Sequence, residues 1–309
     1  MMKRPPSVNP YFEVLYSAWG PQRWWPADSP FEIILGAFLT QNTAWTNVER
    51  AMANLHQAGC LSADGIRRTP LEELERLVRP AGYFRQKAAR LKTFIAYLDT
   101  RYKGSLPRMF AQPTQQLRTE LLELNGVGPE TADSILLYAG QHEVFVVDTY
   151  TRRIFERHAL IEPTATYEDI RLKVESDLRE SASAPQADSP ATPDRQLPNH
   201  AIAKLPDSSF EPGPGPAIEA PELTIPPIHA PSKMSKAKRS PLAQRFNEFH
   251  GLIVQVGKHH CLKQAPHCDG CPLALFLPAE GPRTLPQQRP QKERKGEAEG
   301  RAKIKPARR

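Results

Sequence analysis

LRTELLELNGVGPETADSILLYAGQHEVFVVDTYTRRIFE, residues 117–156, decides the reading of the whole chain. Leu117, Leu121, Leu122 and Leu124 fall at spacings that fill one face of a helix. Gly126 and Gly128 flank Val127, a pattern that suits a tight hairpin with φ > 0 and a close backbone approach. A second helix restarts at Pro129, a residue suited to a first helical turn, and runs through Ala132, Ile135, Leu136 and Tyr138. Helix, hairpin and helix aim free backbone N–H groups at one point, an anion site whose natural ligand is phosphate. After Gly140 a short apolar run, Val144 to Val147, leads to Asp148, and Thr149 opens a further helix. As an N-cap, Asp148 satisfies the first amides of that helix, and the position favours an ionised carboxylate.

The 309 residues carry a formal net charge of +7 and a pI near 9.2, a balance compatible with a polyanionic partner. No apolar run reaches the roughly twenty residues of a membrane span. The start, MMKRPPSVNP, lacks an apolar signal core, so no export is expected. Four cysteines do not make a disulfide scaffold here. Three of them, Cys261, Cys268 and Cys271, crowd together with metal-ligand spacing, which suits a reducing compartment and makes the cytoplasm the expected location.

Along the chain, residues 11–19 form a short amphipathic helix, followed by a loop carrying Trp24, Trp25 and Pro26. Ser29 with Glu32 has the pattern of a capping box. From Pro30 the sequence is apolar to Leu39, polar at Thr40 to Thr43 and amphipathic again from Trp45 to Leu55, which predicts two helices joined at Gln41–Asn42. Further helices are expected over 70–79, from about Arg85 to Tyr97, over 148–158, over 166–180 with Thr166 and Asp169 as its cap, and over the stretch RFNEFHGLIVQVGKHHC. Between 181 and 240 proline recurs every few residues among Ala, Ser and Asp, and the segment ends in the basic run SKMSKAKRS. Such a composition cannot offset its ordering entropy, so a disordered insertion is expected over 181–240, and a disordered basic tail over 281–309. Both basic stretches are candidates for non-specific phosphate contact or for simple solubilising disorder.

LNGVGPETAD, with VVDTYTRR about twenty residues on, resembles the helix-hairpin-helix and catalytic aspartate of the endonuclease III superfamily of DNA glycosylases. Within it, LTQNTAW, GPETADSILLY, VVDTYTRR and RFNEFHGLIVQVGKHHC are similar to patterns of the endonuclease III-related 3-methyladenine DNA glycosylases, over residues 11–180 and 241–277. The resemblance implies an all-α fold. A six-helix barrel would cover 29–138, with the helix-hairpin-helix at 117–138, and a second helical domain would combine 1–28, 139–180 and 241–280. It implies Asp148 as the catalytic carboxylate, DNA contact at Gly126, Val127, Gly128, Glu130 and Thr131, and Gln41 and Asn42 facing the gap left by a displaced base. The implied partner is double-stranded DNA containing a damaged base, met by a monomer and without a membrane.

The chain departs from endonuclease III at two places. In G-V-G-P-E-T-A, Glu130 replaces the lysine whose amine forms a Schiff base in the bifunctional enzymes, and a carboxylate cannot form an imine. In C-x₆-C-x₂-C-x₅-C, the family's iron–sulfur loop, the fourth position falls on Leu277. Either no cofactor is required, or a [4Fe–4S] cluster has an unusual fourth ligand, or zinc binds as Cys₃His through His259, His260 or His267. Trp24, Trp25, Trp45 and Phe84 are candidates for a base pocket, and Lys258 either reaches it or is simply exposed. The leading expectation is a monofunctional glycosylase for alkylated purines in base excision repair. The alternatives are an endonuclease III-like glycosylase and lyase for oxidised pyrimidines, and a non-catalytic DNA-binding module.

Overall fold

The computed structural model describes residues 6–183 and 231–285, and among these the secondary structure is helical throughout, with no strand. Helix α2 (Pro30–Leu39) is buried along almost its whole length because eight of its ten residues are apolar or glycine and face protein on every side. Around it pack α3 (Trp45–Gln57), α6 (Phe84–Tyr102), and α9 (Pro129–Ser134), which runs on as a π-helical turn over Ile135–Ala139. The short helices α4 (Ala63–Arg68), α5 (Leu71–Leu77) and α7 (Leu106–Phe110) close the bundle against α6, and α8 (Thr114–Leu122) pairs with α9. The second group unites distant sequence: α12 (Pro241–His259) packs on α10 (Thr149–Arg157), on α1 (Asn9–Trp19) and on α11 (Tyr167–Ser183).

Local chemistry sets the boundaries. The Ser29 hydroxyl accepts from the Glu32 amide at 3.2 Å and the Glu32 carboxylate returns to the Asp28 amide at 3.2 Å, the expected capping box. Thr166 and Asp169 do the same for α11, with the Asp169 amide donating to Thr166 Oγ1 at 3.2 Å and the Thr166 amide to Asp169 Oδ2 at 2.8 Å. A buried ion pair ties the two hairpin helices: Arg118 of α8 donates to Asp133 of α9 at 2.6 and 3.1 Å, and Tyr167 of α11 adds a bond to the same carboxylate at 2.9 Å.

Two expectations are corrected at their edges. The insertion expected over 181–240 is too wide, because α11 runs to Ser183 and residues 231–240 dock on the aromatic loop. There the buried Met234 anchors a 3₁₀ turn, its amide donating to Ala27 O at 3.0 Å while Ser232 Oγ reaches Trp25 O at 3.2 Å. Likewise the tail expected from 281 begins with ordered chain, the Arg283 amide donating to Arg157 O at 2.9 Å. The rest of both expected segments, 184–230 and 286–309, lies outside the described residues.

Lys87 is the buried exception in this apolar packing, at 1% exposure. Its ammonium donates to Leu39 O at 2.8 Å, Thr43 Oγ1 at 2.6 Å and Ala81 O at 2.8 Å, so all three protons are used on neutral acceptors. The lysine thereby staples the end of α2 and the 40–44 turn to the loop before α6. Burial, and then the neighbouring Arg90 charge, push its pKa down to about 8. The unfolded chain therefore binds more protons than the folded one between pH 8 and the ordinary lysine value of 10.5. This group's contribution to stability is present above 10.5 and is lost as pH falls through 8. We expect the stability difference between wild type and Lys87→Met to move in favour of wild type as pH rises across that window, measured by denaturant unfolding. A flat difference would contradict the placement.

Candidate active site

The hairpin between α8 and α9 depends on one glycine more than the other. Gly126 has φ +82°, so its conformation favours glycine, and a Cβ there would have to displace the Arg90 guanidinium. Gly128 has an extended φ of −96°, so Gly126 alone of the two supplies the left-handed residue of the turn. A Cβ on it would meet nothing within 4 Å, so this part of the backbone is open to an approaching group. The expected outward set is corrected by packing. Val127 is buried and its amide donates to Leu124 O at 3.0 Å. Thr131 is buried too, and its hydroxyl accepts from Gln41 Nε2 at 2.9 Å.

Gln41 also turns inward. Its Nε2 donates to Gly126 O at 2.9 Å, and its Oε1 accepts from Arg90 Nη1 at 2.5 Å. A polar residue in a turn found partners on the hairpin, whose carbonyl and hydroxyl would otherwise lie half-buried and unpaired. Asn42, with φ +52°, is the exposed member of that pair. Exposed Gly128, Glu130 and Asn42 remain on the surface, as does Tyr83, which is 67% exposed in a left-handed conformation just before α6.

Asp148 caps α10 as its position in the sequence predicts. Oδ1 accepts from the Thr151 amide at 2.7 Å and from Thr151 Oγ1 at 2.9 Å. Oδ2 lies 3.6 Å from Nε2 of the buried His250, and the carboxylate side chain is 12% exposed. Burial alone would raise its pKa, but His250 and the two Thr151 donors outweigh that and hold it below the ordinary aspartate value. Glu130 behaves in the opposite way. It is exposed by surface area, yet the surrounding walls crowd its carboxyl, and that desolvation, followed by the Asp148 charge, pushes it up to about 7. Two coupled carboxyls with pKa values driven apart are a recurrent mark of a reaction centre.

From Asp148 an aromatic series leads into a cleft. His250 lies 6.0 Å from Trp24, Trp24 5.6 Å from Trp25, and Trp25 5.4 Å from Trp45, centroid to centroid. The cleft, about 380 Å³, is lined by Trp25, Pro26, Gly36, Trp45, Glu49 and Met52 among others. It takes two of the four aromatics expected from sequence. Trp24 lies behind it, and Phe84 is half-buried with the Arg79 and Arg85 guanidinium groups each 5.6 Å from its ring. Lys258 is exposed at the end of α12. Partial desolvation of its ammonium outweighs the attraction of Glu49 and lowers its pKa.

At the far end of α12 the cysteine loop gathers Cys261, Cys268, Cys271 and Leu277 around one small cleft. Arg157 Nη1 donates to Cys261 Sγ at 3.2 Å and to Leu262 O at 2.6 Å. Among the described residues no three His, Cys, Asp or Glu side chains are grouped as metal ligands, and Leu277 offers no donor. The residues present do not fit a four-thiolate cluster.

Capping and reaction can be separated by substitution. Asparagine caps as well as aspartate, so Asp148→Asn should unfold close to wild type. Asp148→Ala should lose about 1 kcal/mol, the cost of an absent N-cap, as read by denaturant unfolding at pH 7. Equal stability of all three proteins would mean that the cap does not hold α10.

Comparison with known proteins agrees with this architecture. Residues 35–180 match the family described as HhH-GPD superfamily base excision DNA repair protein. An inferred DNA repair glycosylase of Methanocaldococcus jannaschii is 44% identical over 267 residues, 86% of this chain and 93% of its own. Endonuclease III of Bacillus subtilis is 28% identical over 82% of each chain. Among solved structures, the H. pylori 3-methyladenine DNA glycosylase bound to 1,N6-ethenoadenine superposes with a TM-score of 0.57 at 26% identity, over 82% of this chain and 98% of that one. A non-covalent endonuclease III–DNA complex gives 0.58 at 18% identity over 89% and 96%, which speaks for the fold alone. The chain belongs to the HhH-GPD superfamily of base excision repair proteins and is a DNA glycosylase with the all-α helix-hairpin-helix fold.

Proposed function

We propose that this glycosylase is monofunctional and releases alkylated purines such as 3-methyladenine from double-stranded DNA, without AP lyase activity. One observation carries the reading: beside the ionised Asp148, the position of the lyase amine holds Glu130, a carboxyl. Breaking the bond between base and deoxyribose puts positive charge on the sugar, and a fixed carboxylate stabilises that charge and orients water for attack. Alkylation makes the base cationic and hence a good leaving group, so little acid catalysis is required. The cleft walled by Trp25 and Trp45 suits a flipped, stacked base, since it is apolar and lies along the aromatic series from Asp148. The open backbone at Gly128 would meet a phosphate, fixing register without reading sequence. Asn42 and Tyr83, exposed on loops that Lys87 fastens together, are suited to filling the space the base leaves. The similarity to a 3-methyladenine glycosylase supports the substrate class. No cofactor is required in this scheme, and cytoplasmic location and a monomeric state are part of the same proposal.

The test replaces charge while keeping shape. Asp148→Asn should lower release of 3-methyladenine from methylated duplex by about two orders of magnitude, while binding to an abasic-site duplex survives. Undiminished release would contradict the role of Asp148. Borohydride should trap no covalent DNA adduct with wild type, because Glu130 cannot form an imine; a strong adduct would restore the lyase reading and point to an amine such as Lys258.

Glu130 should act on DNA affinity through its charge. Its carboxyl is neutral below about 7 and negative above it, facing phosphate. Glu130→Gln should therefore match wild type in abasic-duplex affinity at pH 6 and bind more tightly than wild type at pH 8, with base release nearly intact at both. An affinity gap independent of pH would contradict the shifted carboxyl.

A further inference from the structure

His250 stands in the middle of α12 at 5% exposure, inside the apolar run FHGLIVQVG. Trp24, Tyr138 and Phe145 wall its ring, at centroid distances of 6.0, 5.8 and 6.3 Å. Neither of its buried ring nitrogens has a hydrogen-bond partner in the resting protein. An imidazole enclosed without a partner loses its hydration for nothing in return, so it calls for an explanation. The explanation lies in its polar neighbour, Asp148 Oδ2, 3.6 Å from Nε2.

The two oxygens of Asp148 have different employments. Oδ1 is committed to the α10 cap through both Thr151 donors. Oδ2 has no such tie and is the oxygen free to face a sugar or a water. We propose that His250 is a positioning residue for the catalytic carboxylate, holding Asp148 Oδ2 through Nε2–H. Nε2–H donates to Oδ2 when the carboxylate closes the remaining few tenths of an ångström. It fixes the second oxygen without sharing the cap and favours the ionised form that a developing sugar cation needs. The inference rests on Asp148 being the reacting carboxylate. The titratable groups around His250 are Asp148 from α10, Glu130 from α9 and Tyr138 from the π-helical turn; the aromatic loop presents Trp24 and the 144–147 run presents Phe145.

The experiment compares full-length wild type, His250→Phe and His250→Gln. Single-turnover release of 3-methyladenine from a dimethyl sulfate-treated duplex is followed against pH, beside affinity for an abasic-site duplex. With His250→Phe we expect release at pH 7 to fall roughly ten- to a hundredfold, as for loss of a group that sets a catalytic protonation state. Its acid limb should move to higher pH while abasic-duplex affinity is unchanged. His250→Gln, whose amide N–H can reach Oδ2, should recover most of the rate and return the limb. A wild-type rate and limb in His250→Phe would overturn the proposal. So would a loss of rate and binding together with no movement of the limb, which is the mark of a packing role. A separate measurement needs no activity: the carboxyl-carbon NMR titration of Asp148 should move to higher pH in His250→Phe, and an unmoved titration overturns the inference. If wild type releases no base but the NMR shift is present, the reading of Asp148 as the reacting group fails and the positioning contact stands.

Discussion

A carboxylate kept charged in a nearly closed site is the constraint on which this molecule turns. In the mechanism proposed above, Asp148 is dry enough for its charge to act strongly on a sugar cation, yet an isolated dry carboxylate would take up a proton. The fold resolves the conflict by giving the residue a second employment as the N-cap of α10, where two donors from Thr151 fix one oxygen. His250, from a helix more than ninety residues away in sequence, lies against the other. Both helices must therefore be locked together, and they are. Tyr150 packs on Gly257, where any Cβ would meet its ring at 2.1 Å, and Arg153 donates to Gly257 O at 3.1 Å and to Cys261 O at 2.7 Å.

The same logic explains the buried charges elsewhere. Arg118 and Asp133 cost desolvation, and a well-packed apolar pair would serve stability as well. What the pair supplies is geometry: it fixes the angle of α8 on α9, and through Tyr167 and Glu168 it ties the hairpin to α11. Lys87 does for the turn at 40–44 and the loop before α6 what Arg118 does for the hairpin. At the cysteine loop, Arg153 and Arg157 bind carbonyls that a metal centre would otherwise help to organise. These bonds hold the loop in place beside α10.

Much of this was legible in the sequence, because caps and hairpins are local. Ser29, Thr166 and Asp148 announce helix starts through the reach of one side chain to an amide three residues on. The hairpin announces itself through Gly126. What was not legible depends on partners far along the chain. Gln41 looked like an exposed turn residue and instead bonds to Gly126 and Thr131. Lys87 is one basic residue among several near the start of α6, and nothing local says that three carbonyl and hydroxyl oxygens wait for it. His250 is a lone polar residue in an apolar helical run, a signal for a buried partner but not for which one. The edges of the insertion were misplaced because Met234 is one apolar residue in a polar stretch, and its receptor is the loop at Trp25–Ala27.

In the proposed reaction a fixed carboxylate, unaided by an amine, cuts the glycosidic bond and leaves the strand whole. The decisive measurement is to incubate wild-type protein with duplexes carrying single 7-methylguanine or 3-methyladenine lesions and resolve both free base and strand length, before and after alkali. The expected result is free methylated base with an intact strand that breaks only on alkali treatment. Strand breaks without alkali, or methylated duplexes left untouched, would contradict it.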